Sequence, residues 1–363
     1  MTSSKLRLGV IGAGSWALAS HLPNLARRAD EVEFVAVCRH GAEPLQAVAR
    51  QYGFQVASEE YRDVIDAGVD ICVVASPSSL HHEHARAALE AGAHVLVEKP
   101  VTIDPADAWD LVATAARHER QLLCSFGWNY LPMLRSAHEL LQRVGIGEIE
   151  QLNISMSSVT RELLSNRGAY PDADAEFAPE PGTWTDPRLS GGGYAQAQLS
   201  HALGLALWLT GLRGAEAFSF MRSALDAPVE LYDACAIRYD NGAIGTIAGG
   251  AAHEGYDDNK HQLEVRAIGS DGHFFCDLQR EMVWLYRADG QDVRLDVEPG
   301  AALYNCDGPP NALVDLALGR PVENCSPGEL GARTVELLNA IYRSAEAGAP
   351  VGVEEHALPG KPR

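Results

Sequence analysis

A glycine-rich turn near the start of the chain restricts the folds open to it. The segment LGVIGAGSWA places Gly12, Gly14 and Ala17 in G-x-G-x-x-G/A spacing between an apolar run and a helix-forming segment. The first glycine permits a tight turn, the second lets backbone approach a pyrophosphate, and the small third residue keeps the helix close to the strand. We expect these residues, with Ser15 and Trp16 at the helix start, to bind a dinucleotide.

Strand and helix patterns alternate as far as residue 127. Short apolar runs of strand length lie at 32–38, 70–76, 94–97 and 121–124. Amphipathic segments separate them, and this rhythm is typical of βαβ crossovers in a parallel sheet. We therefore predict an α/β Rossmann dinucleotide-binding domain over residues 1–127.

The rhythm changes after residue 127. Three dipeptides that favour two-residue hairpin turns lie between apolar or β-branched runs; they are Asn241-Gly242, Asp271-Gly272 and Asp289-Gly290. A continuously apolar segment at 200–211 predicts a buried helix, and 309–346 predicts further helices. We predict an α+β domain over residues 128–363 with an antiparallel sheet.

Composition excludes several classes of protein. The net charge of −20 disfavours nucleic acids and anionic membranes as partners, since both require a basic surface. The seven cysteines are single, without a CxxC pair, so neither a disulfide framework nor a metal site is expected. With no secretory leader pattern before the first strand, the sequence favours a cytoplasmic protein.

The end of the second predicted strand bears on the choice of cofactor. NAD sites usually place an acid there for the ribose 2′-OH, whereas this chain has Arg39 and His40. Its acids, Asp30 and Glu31, lie before the strand. An arginine can bind a 2′-phosphate through charge-assisted hydrogen bonds, so we predict a preference for NADP(H), with NAD(H) as the alternative.

The apolar run at 94–97, HVLV, is followed by Glu98, Lys99 and Pro100. Buried charges are costly unless they have partners, and ligands bind at the carboxyl ends of strands in open α/β sheets. A lysine there has two interpretations: a solvated strand end, or a group that stabilises developing negative charge on a reacting oxygen.

Three segments in this order, GVIGAGSWA, ASPSSLHHEHARAALEAGAHVLVEKP and SGGGYAQAQLSH, resemble the Gfo/Idh/MocA oxidoreductases over nearly the whole chain. The resemblance implies a Rossmann domain followed by a large, open, mainly antiparallel sheet. It also implies homodimers or homotetramers built through that sheet. Sugars, cyclitols and related polyols are the implied substrates, and hydride transfer at a secondary hydroxyl carbon is the implied reaction.

The resemblance also assigns residues. It makes Lys99 and His201 the catalytic pair, with Lys99 binding the reacting hydroxyl and His201 taking its proton. Further cofactor contacts are implied at Ser76, Pro77, His81, Glu98, Pro100, Asn129 and Trp184. Substrate contacts are implied at Lys99, Trp128, Tyr194, Gln198 and His201, with Asp186 and Arg188 as further candidates.

Two positions depart from the family pattern. Many members carry an Asp one helical turn before the histidine, where this chain has Ala197 flanked by Gln196 and Gln198. His201 is therefore expected to work without a carboxylate partner. Thr185 follows Trp184 where many members have arginine, which changes the charge of the site.

Other polar clusters have weaker interpretations. His81, His82 and His84 do not share one helical face, so a zinc site is not predicted there. The Pro-, Gly- and Asp-rich segment at 166–193 is long enough to be a functional loop. The polar run at 256–261 is either a hairpin rim or part of a neighbouring subunit's site.

Three functions stay open at this point. The first is a dehydrogenase or reductase acting on a sugar, glycoside or cyclitol. The second is a glycosidase that oxidises the sugar C3 transiently and then eliminates the aglycone. The third is a non-catalytic, cofactor-sensing regulator, which the loss of an acid at Ala197 favours and the presence of Lys99 and His201 opposes.

Overall fold

The computed structural model describes residues 5–170, 182–253 and 261–356. Its first sheet is parallel, with six strands in the order β3-β2-β1-β4-β5-β6. The strands are β1 (Leu6–Ile11), β2 (Val32–Cys38), β3 (Val56–Ser58), β4 (Ile71–Val74), β5 (His94–Val97) and β6 (Leu122–Cys124). The predicted Rossmann topology is confirmed. The short edge strand β3 was not predicted, because three residues carry too little periodicity.

Helices cover this sheet. They are α1 (Leu22–Ala26), α2 (Ala42–Tyr52), α3 (Tyr61–Asp66), α4 (His81–Glu90) and α5 (Pro105–Arg117). A π-helical turn, Ala17–His21, precedes α1. Asp104 caps α5 by accepting a hydrogen bond from the Ala106 amide at 2.7 Å, and Pro105 occupies the first turn, where its missing N–H costs nothing.

The second sheet has nine strands in the order β14-β13-β12-β11-β7-β10-β9-β8-β15. They are β7 (Ile149–Ser158), β8 (Gly214–Arg222), β9 (Tyr232–Tyr239), β10 (Ile244–Ala251), β11 (Gln262–Gly269), β12 (Gly272–Asp277), β13 (Met282–Arg287), β14 (Val293–Arg294) and β15 (Val351–Gly352). Among the described strand pairs of this second sheet, only the β7–β10 pair is parallel, and the others are antiparallel. All three predicted hairpins form, joining β9 to β10, β11 to β12 and β13 to β14.

One face of this sheet is covered by helices. The remaining helices are α6 (Pro132–Arg143), α7 (Arg161–Leu164), α8 (Pro187–Ser190), α9 (Ser200–Thr210), α10 (Gly308–Ala317) and α11 (Gly328–Ala347). Alternate residues of β9 are buried, and those between them are exposed, as expected for a sheet packed on one side. The helix predicted at 200–211 is α9, which is buried on nearly all sides. Among the described helices, none combines the length and apolar character needed to cross a bilayer.

The carboxyl-terminal part of the chain returns to the first sheet. Leu313 and Val314 of α10 share a buried core with Leu8 and Val10 of β1. Asp315 of α10 pairs with Arg28 at 2.8 Å, beyond the end of α1. Helix α11 packs against α5 on one side and β8 on the other. The two sheets are therefore tied together by residues that come last in sequence.

Candidate active site

The glycine turn meets the requirements of a dinucleotide site. Gly12 has a φ of +86°, and a Cβ there would lie 2.3 Å from the Ser76 amide nitrogen, so only glycine fits. A Cβ on Gly14 would meet nothing closer than the Gly12 carbonyl oxygen at 4.0 Å. The space beside Gly14 lies at the amino end of a helix, where free N–H groups favour an anion. These residues fit the diphosphate of a dinucleotide.

The π-helical turn after the glycines delivers a residue that sequence reasoning missed. His21, the last residue of this turn, is fully buried, and its Nε2 lies 2.7 Å from Glu98 Oε1. A helix widened to the i→i+5 pattern is rare and is frequently found at functional sites. The only sequence feature that pointed to such a residue was Glu98, because a buried carboxylate needs a hydrogen-bonding or charged partner from another segment.

Glu98 is held as a carboxylate. Burial alone acts to raise its pKa, but hydrogen bonds from His21 and Ser125, with the charges of His21 and Lys99, bring the pKa to about 2. One oxygen also accepts a hydrogen bond from the Lys99 amide at 3.1 Å. A fixed negative charge therefore sits beside the lysine at neutral pH.

Lys99 extends from the end of β5 to the second domain. Its Nζ donates a hydrogen bond to the Ala197 carbonyl at 2.6 Å and lies 5.8 Å from the ring centre of Trp184. Burial lowers the pKa of the ammonium group, while the Glu98 carboxylate opposes that change. Lys99 is thus a partly buried cation with a lowered pKa at the junction of the domains, and its ammonium is bound by a protein carbonyl.

A second π-helical turn, Ala195–Leu199, lies opposite Lys99 and contains the carbonyl that binds it. We expected an ordinary helical turn to separate position 197 from His201. The turn is wider instead, because residues 195–199 follow the π pattern and the α-helix begins only at Ser200. Both π turns therefore supply a contact to the Glu98–Lys99 pair.

His201 is buried at the start of α9, and its Nδ1 has no hydrogen-bond partner within the described part of the chain. Burial, the Lys99 cation and His261 all keep the pKa of the imidazole well below 6.5. The ring is therefore neutral at physiological pH, which is the form that accepts a proton.

Aromatic side chains enclose the histidine. The Tyr304 ring centre lies 5.0 Å from that of Trp128, 5.6 Å from His201 and 6.2 Å from Trp16 of the glycine turn. His261 packs against Trp128 at 5.5 Å. Tyr304 was not predicted, since it lies in an irregular segment between β14 and α10. We call the four residues around His201, namely Trp16, Trp128, His261 and Tyr304, the aromatic wall.

Two predicted cofactor contacts have roles inside the fold. The His81 ring nitrogens lie 2.7 Å from the Ser76 carbonyl and 2.8 Å from the Pro100 carbonyl, and so join the ends of β4 and β5. The Ser76 hydroxyl contacts His84 at 2.9 Å. His82 contacts Asp110 at 2.8 Å, so it points away from the other two histidines, which both contact Ser76. Pro77 precedes a short 3₁₀ turn at the same edge.

The other predicted residues are distributed around the site. Asn129 is buried and donates to the Cys325 carbonyl at 2.9 Å. Tyr194 is fully buried, with its hydroxyl near Met156 and Ser158 under the second sheet. Gln196 and Gln198 are buried beside Ala197.

Some candidates lie further out or cannot be placed. Asp186 accepts hydrogen bonds from Arg188, and both stand at the start of α8. The central part of the predicted functional loop, 171–181, and most of the polar run, 256–260, fall outside the described residues.

Arg39 and His40 follow β2, as predicted. Arg39 is half-buried, and its Nε donates to the His40 carbonyl at 3.4 Å, while His40 is exposed. The carboxylate of Glu59, which follows β3, accepts a hydrogen bond from the Gly41 amide at 2.7 Å. An acid therefore reaches this edge from a strand that the sequence did not reveal.

The parallel sheet, the open glycine turn and the neighbouring lysine and histidine together indicate a dinucleotide-dependent oxidoreductase. Residues 6–126 match the model of the oxidoreductase family with an NAD-binding Rossmann fold, and residues 134–275 match the GFO/IDH/MocA carboxyl-terminal domain. The chain belongs to the Gfo/Idh/MocA family, as its motifs indicated.

Relatives match over most of their length. A D-glucoside 3-dehydrogenase of Escherichia coli K12 is 25% identical over 97% of this chain and 98% of that protein. A dTDP-3,4-didehydro-2,6-dideoxy-alpha-D-glucose 3-reductase of Streptomyces antibioticus is 25% identical over 84% of this chain and 87% of its own. A levoglucosan dehydrogenase complexed with NADH and levoglucosan shares the fold with a TM-score of 0.77 at 19% identity, over 97% of this chain and 100% of that one.

Substituting Ala197→Asp should restore the family carboxylate and change the pH profile. In the wild type, a neutral His201 is retained below pH 6.5, so kcat/KM for oxidation should stay constant as pH falls through 6.5 and decline only at lower pH. A carboxylate at 197 raises the pKa of His201, so the decline should begin at higher pH. The pH dependence of kcat/KM measures this. Ala197→Asn adds similar volume without charge, and an equal displacement in that variant would contradict the electrostatic account.

Proposed function

We propose that this protein transfers hydride to or from a secondary hydroxyl carbon of a sugar, glycoside or cyclitol, with NAD(P) as the hydride carrier. The observation that carries the proposal is the partly buried Lys99 ammonium beside a buried, neutral His201 at the carboxyl edge of the first sheet. A substrate hydroxyl placed between these groups meets both a cation and a proton acceptor. Those are the two groups that alcohol oxidation requires.

Each group in the site has a separate role in the proposed reaction. Bound at the glycine turn, the nicotinamide cofactor accepts or supplies the hydride. Lys99 stabilises negative charge on the substrate oxygen, and Glu98 with His21 fixes the position and charge of the strand end that carries Lys99. His201 takes the hydroxyl proton at its free Nδ1. The aromatic wall restricts water at the reacting carbon.

The polyol class is supported by the side chains near the reacting groups. The buried amides of Gln196 and Gln198 can pair with sugar hydroxyls, and aromatic rings suit the apolar faces of sugars. The relative named as a D-glucoside 3-dehydrogenase matches the full chain and favours a glycoside. Purified protein should be incubated with NAD or NADP and a panel of glucosides, free sugars and inositols. Substrate-dependent absorbance of reduced nicotinamide supports the proposal, and no turnover across the panel despite tight dinucleotide binding favours a sensor.

A second candidate is a glycosidase that oxidises and re-reduces the sugar within one cycle. A Streptomyces coelicolor protein named a glycosyl hydrolase family 109 protein is 38% identical, but over only 29% of this chain and 22% of its own length. Release of the aglycone from a chromogenic glycoside without accumulation of NADH would favour this candidate. Accumulation of NADH with an intact glycoside would exclude it.

We further propose that Arg39 gives a preference for NADP(H). Removing a charge-assisted contact to the 2′-phosphate with Arg39→Ala should lower kcat/KM for NADP by about 10-fold or more and leave the value for NAD nearly unchanged. Steady-state kinetics with both cofactors measures this. Arg62→Ala, which removes an exposed arginine of α3, is the control. A wild-type preference for NAD, selected by the nearby Glu59, would overturn the assignment.

The uncovered face of the second sheet is proposed as the interface of a homodimer or homotetramer. Phe220 on β8 is 67% exposed and Ile244 on β10 is 53% exposed. A depression of about 320 Å³ between these strands is lined by Phe218, Ala236 and Ile244. Large exposed apolar side chains on a sheet indicate an interaction surface.

Light scattering after size exclusion should report an oligomer for the wild type and a monomer for Phe220→Asp. Burying an unpaired carboxylate at such an interface costs several kcal/mol. Leu303→Asp, at a position outside the sheet that is 40% exposed, should keep the wild-type mass. A wild-type protein that is monomeric would contradict the proposed interface.

A further inference from the structure

Three possible metal ligands from distant parts of the chain meet beside Lys99. His21 Nε2, a Glu98 carboxylate oxygen and Cys306 Sγ all lie within 4.8 Å of one another. His21 and Cys306 are buried, and Glu98 is 9% exposed. A nitrogen, an oxygen and a sulfur donor in one small volume form a ligand set typical of Zn²⁺. No sequence spacing reveals this set, because its members follow β1, β5 and β14.

The separations suit a tetrahedral ion after small movements. Zinc bonds of about 2.0 to 2.3 Å place ligand atoms about 3.3 to 3.8 Å apart. His21 Nε2 and Glu98 Oε1 are 2.7 Å apart as hydrogen-bond partners, so they would separate slightly around an ion. Cys306 Sγ, now 3.2 Å from Ser125 Oγ, would turn from that hydroxyl towards the pair.

We propose that His21, Glu98 and Cys306 form a binding site for Zn²⁺ or a similar borderline divalent ion, with a fourth position left for water. On binding, the Cys306 thiol gives its proton to solvent and binds as thiolate. His21 binds through Nε2 and carries its remaining ring proton on Nδ1, which has no hydrogen-bond partner among the described residues. The protons displaced from the ligands are released to solvent, and no oxidation state changes.

The ion would connect three parts of the chain that are now joined by single hydrogen bonds and by packing. His21 ends the first π turn, Glu98 follows β5, and Cys306 precedes α10. We therefore expect the ion to stabilise the folded state.

Cobalt reports the site directly and does not require a substrate. Full-length protein freed of metal by a chelator should bind one Co²⁺ per chain, with a thiolate-to-cobalt charge-transfer band in the near ultraviolet. Cys306→Ser should lose the band and bind Zn²⁺ about 100-fold more weakly in calorimetry. Cys276→Ser, which changes a buried thiol in β12, should keep both signals. A band that persists in Cys306→Ser, or no band in the wild type, would overturn the proposal.

Thermal unfolding supplies a second measurement. At about 100 times its Kd, Zn²⁺ should raise the wild-type Tm by about 3 to 4 °C, and the increase should be absent in Cys306→Ser. If Cys306→Ser does not fold, the wild-type cobalt spectrum and its loss in His21→Asn decide the question. Zinc that leaves the wild-type Tm unchanged at saturation would also count against the site.

Discussion

Replacing Lys99 with methionine should lower kcat by about 10³-fold and leave dinucleotide binding nearly unchanged. Methionine keeps the length and apolar stem of lysine, and so removes only the ammonium group and its hydrogen bond to the Ala197 carbonyl. The substrate oxygen then develops negative charge without a cation in a desolvated site. The glycine turn lies on another loop and is untouched by the change.

Two measurements test this result together. The turnover number is measured with the best substrate of the panel, and the Kd for the dinucleotide is measured by calorimetry. Lys5→Met changes an exposed lysine at the start of β1 and serves as the control for the loss of a positive charge. A Lys99→Met variant with more than a tenth of wild-type activity would show that another group carries the charge.

His201→Asn should lower kcat for oxidation by about 10²-fold or more at neutral pH. Asparagine can still form hydrogen bonds but cannot accept the hydroxyl proton. The loss should diminish as pH rises, because hydroxide from solvent then substitutes for the missing base. No carboxylate replaces the histidine, since position 197 is alanine.

The pH dependence of kcat in wild type and variant tests the assignment. His138→Asn is the matched control, because that histidine stacks on Trp208 at 4.2 Å as part of the packing of α6. Equal losses in the two variants would point to a packing effect. If the decrease in kcat of His201→Asn does not vary with pH, His201 is not the base.

The sequence predicted those features that have local signals. The glycine turn was recognisable because its spacing follows a strand and opens a helix, and the Asn-Gly and Asp-Gly hairpins were recognisable because their turns demand those residues. Lys99 stood out because a charge at the end of an apolar strand needs an explanation. The buried helix at 200–211 followed from continuous apolarity over its whole length.

The missed features depend on contacts between remote segments. His21 becomes a site residue only when the fold brings β5 against the first helix, and Tyr304 only when an irregular segment packs against Trp128. Neither π turn has a sequence signature, since the i→i+5 pattern arises from how neighbouring elements pack. The core shared by α10 and β1 joins positions about 300 residues apart, which no local pattern reports.

The π turn at Ala195–Leu199 makes the catalytic geometry sensitive to chain length. The wider turn holds one residue more than regular helix over the same rise, so losing a single codon there would let the segment relax to regular helix. The imidazole at 201 would keep its place at the start of α9, while the backbone around the carbonyl at 197 that binds the lysine would be rebuilt. Chain length within this turn therefore bears on the hydrogen bond of the lysine rather than on the position of the imidazole.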